Sequence, residues 1–245
     1  MNSRTAPPAA PANSIRTLTS TKLRVLLVDD HPILVEGLTV SINSQADMMV
    51  CGTAPSARAA LQAVASLKPQ LVVVDISLED SHGIELAKDL AAYHTGLPVL
   101  MLSSHDETLY AERALRAGAR GYVMKREPMQ KLLEAIRKVA KGGLSFSEAI
   151  TARVMNRFSS ARSEKRVLPL DRLSDRELQI LELTGQGRRT REIADVLHIS
   201  MKTVQAHREH IKEKLEVEDG LTLTRIAINW VESKDQAHMT APAAA

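Results

Sequence analysis

Two kinds of hydrophobic segment alternate between residues 23 and 143. Short runs rich in β-branched residues predict strands at Leu23–Val28, Met48–Gly52, Leu71–Val74, Pro98–Leu102 and Gly121–Met124. Longer segments with apolar residues three and four apart predict helices at Leu34–Ile42, Ala57–Leu67, Ile84–Tyr93, Leu109–Ala117 and Met129–Lys141. Such alternation predicts an α/β domain in which helices cover both faces of a parallel sheet.

The pattern changes after Gly143, where no further strand is predicted. Apolar residues at four-residue spacing favour a helix over Ser145–Phe158, and a polar, basic stretch then predicts a linker. From Leu173 onward the pattern predicts a small all-α domain of four helices. A capping box at Ser174 begins the first helix, and the others are predicted at Thr190–Leu197, Ser200–Leu215 and Leu221–Val231. The second and third have the outline of a helix-turn-helix.

Composition excludes several classes of protein. The chain has 245 residues, of which 44% are hydrophobic and 25% charged, as in soluble globular proteins. The single cysteine excludes an internal disulfide, and no apolar run approaches the ~20 residues of a membrane helix. We predict a disordered segment at 1–21 that is not a signal peptide, an α/β domain at 22–143, a linker at 144–170, a helical domain at 171–234 and a disordered tail at 235–245.

The basic charge is not where a nucleic-acid interface would be expected. The net charge is +3 for the whole chain, yet residues 171–245 carry 11 basic and 13 acidic side chains, which is net −2. The linker region 146–170 carries five basic and two acidic side chains, net +3. Attraction of the helical domain for phosphates must therefore be local.

Polar side chains follow four of the predicted strands. Asp29 and Asp30 follow the first strand, Asp75 the third, Ser103 the fourth and Lys125 the fifth. Ligands of open parallel sheets bind beyond the carboxyl ends of the strands, and clustered carboxylates suit Mg²⁺. A nucleophilic carboxylate, a metal, an ammonium group and a hydroxyl are the groups that phosphoryl transfer to Asp75 requires. The alternative is that Asp29 or Asp30 only caps the following helix.

Four separated blocks resemble the signature blocks of bacterial two-component receiver domains, in the same order and at matching spacing. They are Val28–Pro32, Val74–Ser77, Leu102–Glu107 and Gly118–Lys125. The resemblance covers about Lys22–Lys141. It implies a doubly wound, five-stranded parallel sheet of order 2-1-3-4-5.

The resemblance also implies the site chemistry. Asp75 would accept a phosphoryl group from a histidine kinase. Asp30, Asp75 and the backbone carbonyl of Ser77 would bind Mg²⁺ directly, and Asp29 would act through water. Glu79 and Asp80 add two carboxylates in a loop where many relatives have proline.

Ser103 and Lys125 would stabilise the phosphoryl group. By the same resemblance, Ser103 and Tyr122 would form the switch, because Tyr122 moves inward when Ser103 is drawn towards the phosphoryl group. The alternative for Tyr122 is a half-buried strand residue whose hydroxyl contacts water.

The helical domain is similar to the LuxR-type DNA-binding domain over about Arg172–Trp230. The matching segments are Leu173–Glu177, Gly187, Arg191–Ala194, Ile199–Arg208 and Ile211–Leu215. Together with the receiver they imply a response regulator of the NarL/FixJ type, in which the helix from Met201 enters the major groove and the Leu221–Trp230 helix mediates dimer contacts. Relatives often have Gly where Glu216 stands, and Asn-Arg where Asp219 and Gly220 stand.

Side-chain chemistry suggests which residues read DNA. Gln205 suits adenine, Ala206 a thymine methyl group and Glu209 the amino group of cytosine. Phosphate contacts are predicted for Lys202, Thr203, Arg208, Lys212, Arg188, Arg189 and Arg191. The alternative is that these side chains form only a solvated helix face. His207 is either a phosphate contact or a packed structural histidine.

The sequence therefore predicts a cytoplasmic, phosphorylation-controlled transcription regulator that is an enzyme only in its self-phosphorylation and autodephosphorylation. Expected partners are a cognate histidine kinase, promoter DNA and, as a further candidate, RNA polymerase; a homodimer is expected on phosphorylation, and no membrane. One alternative is an aspartyl-phosphate phosphatase using Asp75, but that class usually has a second Asp where Ser77 stands. Another is a regulator whose four helices bind RNA polymerase or another protein.

Overall fold

The computed structural model describes residues 22–78, 81–104, 107–148, 150–152 and 169–239. Several predictions lie outside these residues: the disordered segment 1–21, the acidic pair Glu79 and Asp80, the linker over 153–168 and the tail from 240. Of the helix predicted over Ser145–Phe158, residues 148 and 150–152 are helical, and residue 149 and the part from 153 onward lie outside the described residues.

The first domain is the predicted α/β sandwich. Its strands are β1 (Leu23–Val28), β2 (Met48–Ala54), β3 (Leu71–Asp75), β4 (Val99–Ser103) and β5 (Gly121–Met124). Its helices are α1 (Pro32–Asn43), α2 (Ala57–Leu67), α3 (Gly83–Tyr93), α4 (Glu107–Arg116) and α5 (Met129–Ala140). All strand pairs are parallel and the order is β2-β1-β3-β4-β5, which confirms the predicted doubly wound sheet.

Alternation along each strand divides the core into two layers. Val72 and Val74 of β3 pack in the layer beneath α2, α3 and α4, whereas Leu71 and Val73 pack in the layer beneath α1 and α5. All five residues of β3 are buried. A strand covered on both faces must be apolar throughout, which explains the continuous valine run.

The strand register brings the polar strand ends together. Val28 of β1 lies opposite Val74 of β3, so Asp29 follows at the level of Asp75. Asp75 lies opposite Leu102 of β4, and Ser103 lies opposite Met124 of β5. The residues that follow these strands therefore share one edge of the sheet.

The second domain is helical, as predicted. A 3₁₀ turn (Pro169–Arg172) leads into α6 (Asp175–Gly185), α7 (Thr190–Val196), α8 (Met201–Leu215) and α9 (Gly220–Met239). Both bonds of the predicted capping box form at Ser174: its amide donates to Glu177 Oε2 (2.7 Å), and its hydroxyl accepts from the Glu177 amide (3.3 Å). Among the described residues, no helix combines the length and the apolarity needed to cross a membrane.

The disordered tail predicted from 235 is wrong for residues 235–239. Helix α9 continues to Met239. No proline or glycine follows Gly220 until Pro242, so the sequence contains no residue that would end the helix earlier.

Helix α8 ends at the position where relatives often have glycine. Glu216 has φ 57° and ψ 45°, which is the left-handed region. Glycine reaches this conformation at no steric cost, whereas a residue with a Cβ is strained there. Glu216 therefore replaces glycine at the C-cap of α8, and the left-handed cap geometry is kept.

Gly83, the first residue of α3, is required by close packing. A Cβ built on it would lie 1.9 Å from the carbonyl oxygen of Asp75, at the end of β3. Its amide donates to the Ile76 carbonyl at 2.7 Å, which fixes the return of the chain beneath the acidic residues.

We predict that Gly83→Ala lowers the free energy of unfolding by about 1–3 kcal/mol, because the backbone of Asp75 must move. Gly37→Ala is the matched control: Gly37 is exposed within α1 and a Cβ there meets nothing within 4 Å. The control should gain about 0.5–1 kcal/mol from helix propensity. Urea denaturation measures both, and equal effects would contradict the packing argument.

Candidate functional site: the acidic pocket and the helix-turn-helix

An ammonium group joins two buried carboxylates at the carboxyl edge of the sheet. Lys125 Nζ lies 2.7 Å from Asp29 Oδ2 and 2.8 Å from Asp75 Oδ2. The side chains of both aspartates are 3% exposed, and that of Lys125 is 13% exposed. The structure thus brings together three of the predicted site residues in a pocket with little solvent.

His31 lies at the edge of the pocket, although the sequence analysis assigns it no role. Its Nδ1 lies 2.9 Å from Asp29 Oδ1 and 2.8 Å from Asp30 Oδ1, and its amide donates to Asp29 Oδ1 at 2.9 Å. The imidazole therefore bridges two adjacent carboxylates. The only available signal was its position directly after the Asp-Asp pair.

Burial raises the pKa of Asp75 to about 6; the Lys125 ammonium opposes this shift and the Asp29 carboxylate adds to it. Burial also acts to lower the pKa of Lys125, but Asp75 and Asp29 outweigh it and hold that pKa above its usual value. Lys125 is thus protonated, while Asp75 is held as an anion at neutral pH against a desolvation penalty.

The donor set fits a hard divalent cation. Ligand atoms of Asp29, Asp30, His31 and Asp75 lie within 4.8 Å of one another. Asp29 Oδ2 and Asp30 Oδ1 are buried, and their neighbours are Lys125 Nζ at 2.7 Å and His31 Nδ1 at 2.8 Å. Carboxylate oxygens clustered in this way are the hard ligands that Mg²⁺ prefers.

The remaining predicted receiver residues surround this pocket. Ser103 is fully buried at the end of β4, and its carbonyl accepts a hydrogen bond from the Lys125 amide at 2.7 Å. The Ser77 amide donates to the Asp75 carboxylate. Tyr122 is only 4% exposed, so its interpretation as a half-buried residue is wrong. It packs in the core layer beneath α4.

The predicted DNA-reading side chains lie on the outer face of the helix-turn-helix. Those of Lys202, Gln205, Ala206, Glu209, Arg188, Arg189 and Arg191 are exposed, and those of Thr203, Arg208 and Lys212 are half-buried. Gln205 Nε2 donates to Glu209 Oε1 at 3.2 Å, and Lys212 Nζ lies 2.6 Å from Glu209 Oε2. Three of these side chains are therefore connected in one polar row along α8.

His207 is half-buried on the inner side of α8. Burial lowers its pKa, with the nearby cations Arg176 and Lys214 acting in the same direction and Glu177 opposing them. This placement supports the packed structural histidine rather than the phosphate contact.

Comparison with known proteins gives the family of both domains. Residues 25–137 match the response regulator receiver domain, and residues 171–227 match the bacterial regulatory proteins of the luxR family. The response regulator protein VraR of Staphylococcus aureus is 34% identical over 197 residues, which cover 80% of this chain and 92% of VraR. The chain is a response regulator.

Solved structures share its fold. A LuxR-family response regulator from Aurantimonas is 29% identical and has a TM-score of 0.52, with coverage of 57% of this chain and 99% of the relative. RcsB of Salmonella enterica serovar Typhimurium, bound to a promoter in the presence of the phosphomimetic BeF₃⁻, is 24% identical. Its TM-score is 0.56 over 87% of this chain and 100% of RcsB, a likeness of fold alone.

The two domains of the response regulator meet through charged side chains. Arg113 of α4 donates to the carbonyl of Leu173 and to Asp175 Oδ1, both at 2.9 Å. Its second amino group donates to the Leu170 carbonyl at 2.9 Å. Lys88 of α3 lies 3.3 Å from Asp175 Oδ2. The start of the DNA-binding domain is thus attached to α3 and α4 of the receiver.

A second group of contacts reaches the loop that follows Asp75. Gln179 Nε2 of α6 donates to Ser77 Oγ at 2.9 Å, two residues after Asp75. Tyr110 of α4 donates its hydroxyl to Glu182 Oε2 at 3.2 Å. Burial and the Glu182 carboxylate hold the pKa of Tyr110 well above its usual value, so the phenol stays a donor.

Sequence reasoning missed this interface. Polar residues of α6 are buried, although a polar helix face normally predicts solvent exposure. The sequence shows only that this short helix has many polar side chains. It does not show that a second domain covers them.

Asp75→Asn should stabilise the Mg²⁺-free protein at neutral pH. The folded-state pKa of about 6 exceeds the 3.8 of an unperturbed carboxyl, so ionisation disfavours the folded state. The penalty is absent below the unfolded pKa and complete above the folded one. We expect the variant to exceed the wild type by up to about 3 kcal/mol at pH 7 and by little at pH 4.

Urea denaturation in the presence of a chelator measures this difference. Asp89→Asn is the control, because Asp89 is an exposed carboxylate on α3 of the same domain. A stability difference that is the same at both pH values would show that Asp75 ionisation does not limit the stability of the fold.

Proposed function

We propose that a histidine kinase phosphorylates Asp75, and that this controls dimerisation and sequence-specific DNA binding to regulate transcription. The single observation that carries the proposal is the shared Lys125 ammonium, 2.7 and 2.8 Å from the Asp29 and Asp75 carboxylates. A buried carboxylate beside a fixed cation supports phosphoryl transfer to Asp75, because the cation can neutralise charge on the phosphoryl oxygens.

In the proposed transfer, one Asp75 carboxylate oxygen attacks the phosphorus of a phosphohistidine. An O–P bond forms, the P–N bond breaks, and its electron pair stays with the histidine ring. The product is an acyl phosphate. Lys125 lies close enough to Asp75 to neutralise a phosphoryl oxygen, and the buried Ser103 hydroxyl would donate to another.

Mg²⁺ would be held by Asp30, Asp75 and the Ser77 carbonyl, with Asp29 acting through water. When bound, it supplies positive charge to the transferring phosphoryl group. The cluster of three aspartates and His31, with its buried carboxylate oxygens, supports this role. The affinity of the pocket for Mg²⁺ would be higher because the ion reduces the repulsion between Asp29 and Asp75.

The proposed switch has two connected parts. Ser103 and Tyr122 are both buried on neighbouring strands, where Tyr122 pairs with Met101. A phosphoryl group that draws Ser103 towards Asp75 changes the space beside Tyr122. The second part is Ser77, whose hydroxyl accepts from Gln179 of the DNA-binding domain at 2.9 Å. Phosphorylation two residues away would bias this interdomain bond.

On the DNA side, we propose that α8 lies in the major groove. Gln205, Ala206 and Glu209 are exposed for base contacts, and the arginines at 188, 189 and 191 are exposed for phosphates. Leu221 is 82% exposed on α9 and Ile228 is 36% exposed, which supports α9 as a dimer contact. The proposed partners are a cognate histidine kinase and promoter DNA, with RNA polymerase as a further candidate. The proposed location is the cytoplasm, and the proposed catalysis is limited to the chain's own phosphorylation and dephosphorylation.

Asp75→Asn should abolish labelling by a small phosphodonor in the presence of Mg²⁺, because the amide cannot form an acyl phosphate. Acid-gel electrophoresis or mass spectrometry of the intact chain measures the modification. Asp89→Asn should label like the wild type. Undiminished labelling of Asp75→Asn would refute the assignment of the acceptor.

Gln205→Ala and Arg208→Ala should have different effects on DNA binding. The first should relax base preference at one position by ~1–3 kcal/mol, and the second should weaken binding to all sequences alike. Genomic fragments retained by the wild-type chain provide the DNA, and titrations against single-base variants measure both effects. Equal losses on every sequence for both variants would contradict base reading by Gln205.

A further inference from the structure

A cluster of two histidines and one glutamate lies between the first helix of the DNA-binding domain and the proposed recognition helix. Glu177 is in α6, and His207 and His210 are one turn apart in α8. One ligand atom from each residue lies within 4.8 Å of the other two. We call these three residues the His-His-Glu cluster.

Neighbouring contacts hold the carboxylate of this cluster in position. Glu177 is 4% exposed, and its Oε2 accepts from the Ser174 amide at 2.7 Å and from Lys214 Nζ at 2.6 Å. Both bonds use the same oxygen. Glu177 would therefore meet a cation through its other carboxylate oxygen, Oε1.

The two imidazoles have open nitrogens as well. Their ring centroids are 6.5 Å apart in an edge-to-face arrangement. Among the described residues, neither His207 nor His210 makes a hydrogen bond through its ring. Two nitrogen donors on one helix turn and an oxygen donor on the helix beside it form a three-sided ligand set.

We propose that the His-His-Glu cluster binds a divalent transition-metal cation of the Zn²⁺ type, which would connect α6 to the recognition helix. Imidazole with one carboxylate suits Zn²⁺ and its neighbours, whereas Mg²⁺ prefers oxygen ligands and water. Ligand atoms around tetrahedral Zn²⁺ are about 3.4 Å apart, so side-chain movements of about 1 Å close the site. Three protein ligands leave a fourth position for water.

Lys214 competes for this site. Its ammonium group occupies Glu177 Oε2, but its side chain is 39% exposed and can turn into solvent. A bound cation would displace it by charge repulsion. Lys214 therefore sets the affinity, and the cluster behaves as an exchangeable site rather than as a permanently loaded one.

Titration of the full-length chain with Zn²⁺ tests the proposal. The buffer contains excess Mg²⁺ to fill the acidic pocket of the receiver, and a chromophoric chelator reports free Zn²⁺. We expect one Zn²⁺ per wild-type chain, and an affinity at least about tenfold lower in His210→Gln, which removes an exposed ligand and should not disturb folding. His207→Gln should lose a similar factor, with circular dichroism as the check of its folding.

Two further variants make the test specific. His198→Asn is the control: His198 is an exposed histidine of the same domain at φ 50°, a conformation that Asn tolerates, and it should bind like the wild type. Lys214→Met should bind more tightly, because the competing ammonium is gone. Equal affinity of the wild type and His210→Gln, or no gain in Lys214→Met, would overturn the proposal.

Discussion

Two buried carboxylates of the receiver depend on one ammonium group. Asp29 and Asp75 follow neighbouring strands, and the parallel register leaves them no way to separate. Lys125, which follows the edge strand β5, offsets their repulsion at distances of 2.7 and 2.8 Å. Burial, with the Asp29 carboxylate adding to it, raises the pKa of Asp75 to about 6 although Lys125 opposes the shift.

The rest of the receiver keeps this balance in place. Gly83 lies against the Asp75 carbonyl where the chain returns, and the buried β3 strand holds Asp75 between two core layers. Burying these charges lowers the stability of the fold, and the packing around the pocket compensates for that loss. Functional sites commonly depend on their surroundings in this way.

Different parts of the structure follow from the sequence with different ease. The strands and the acidic edge were predictable, because period-two and period-3.6 patterns are local and parallel strands share one edge. The bridging His31 and the buried face of α6 were not, since polarity does not reveal what covers a side chain. Nor was the length of α9 predictable from apolar spacing, because beyond residue 234 the helix has apolar residues only at 237 and 239, which are two apart rather than three or four. Site residues drawn from the family resemblance lie together in the structure, and their roles remain predictions.

The hydrogen bond from Gln179 to Ser77 is shared by the two domains. A form of the chain that lacks this contact must satisfy the Ser77 hydroxyl in another way, in the loop that follows Asp75. By thermodynamic reciprocity, a phosphoryl group that raises DNA affinity by some factor is itself favoured by the same factor when DNA is bound. A promoter would then act as an effector of its own regulator and retain the phosphorylated form where it is used.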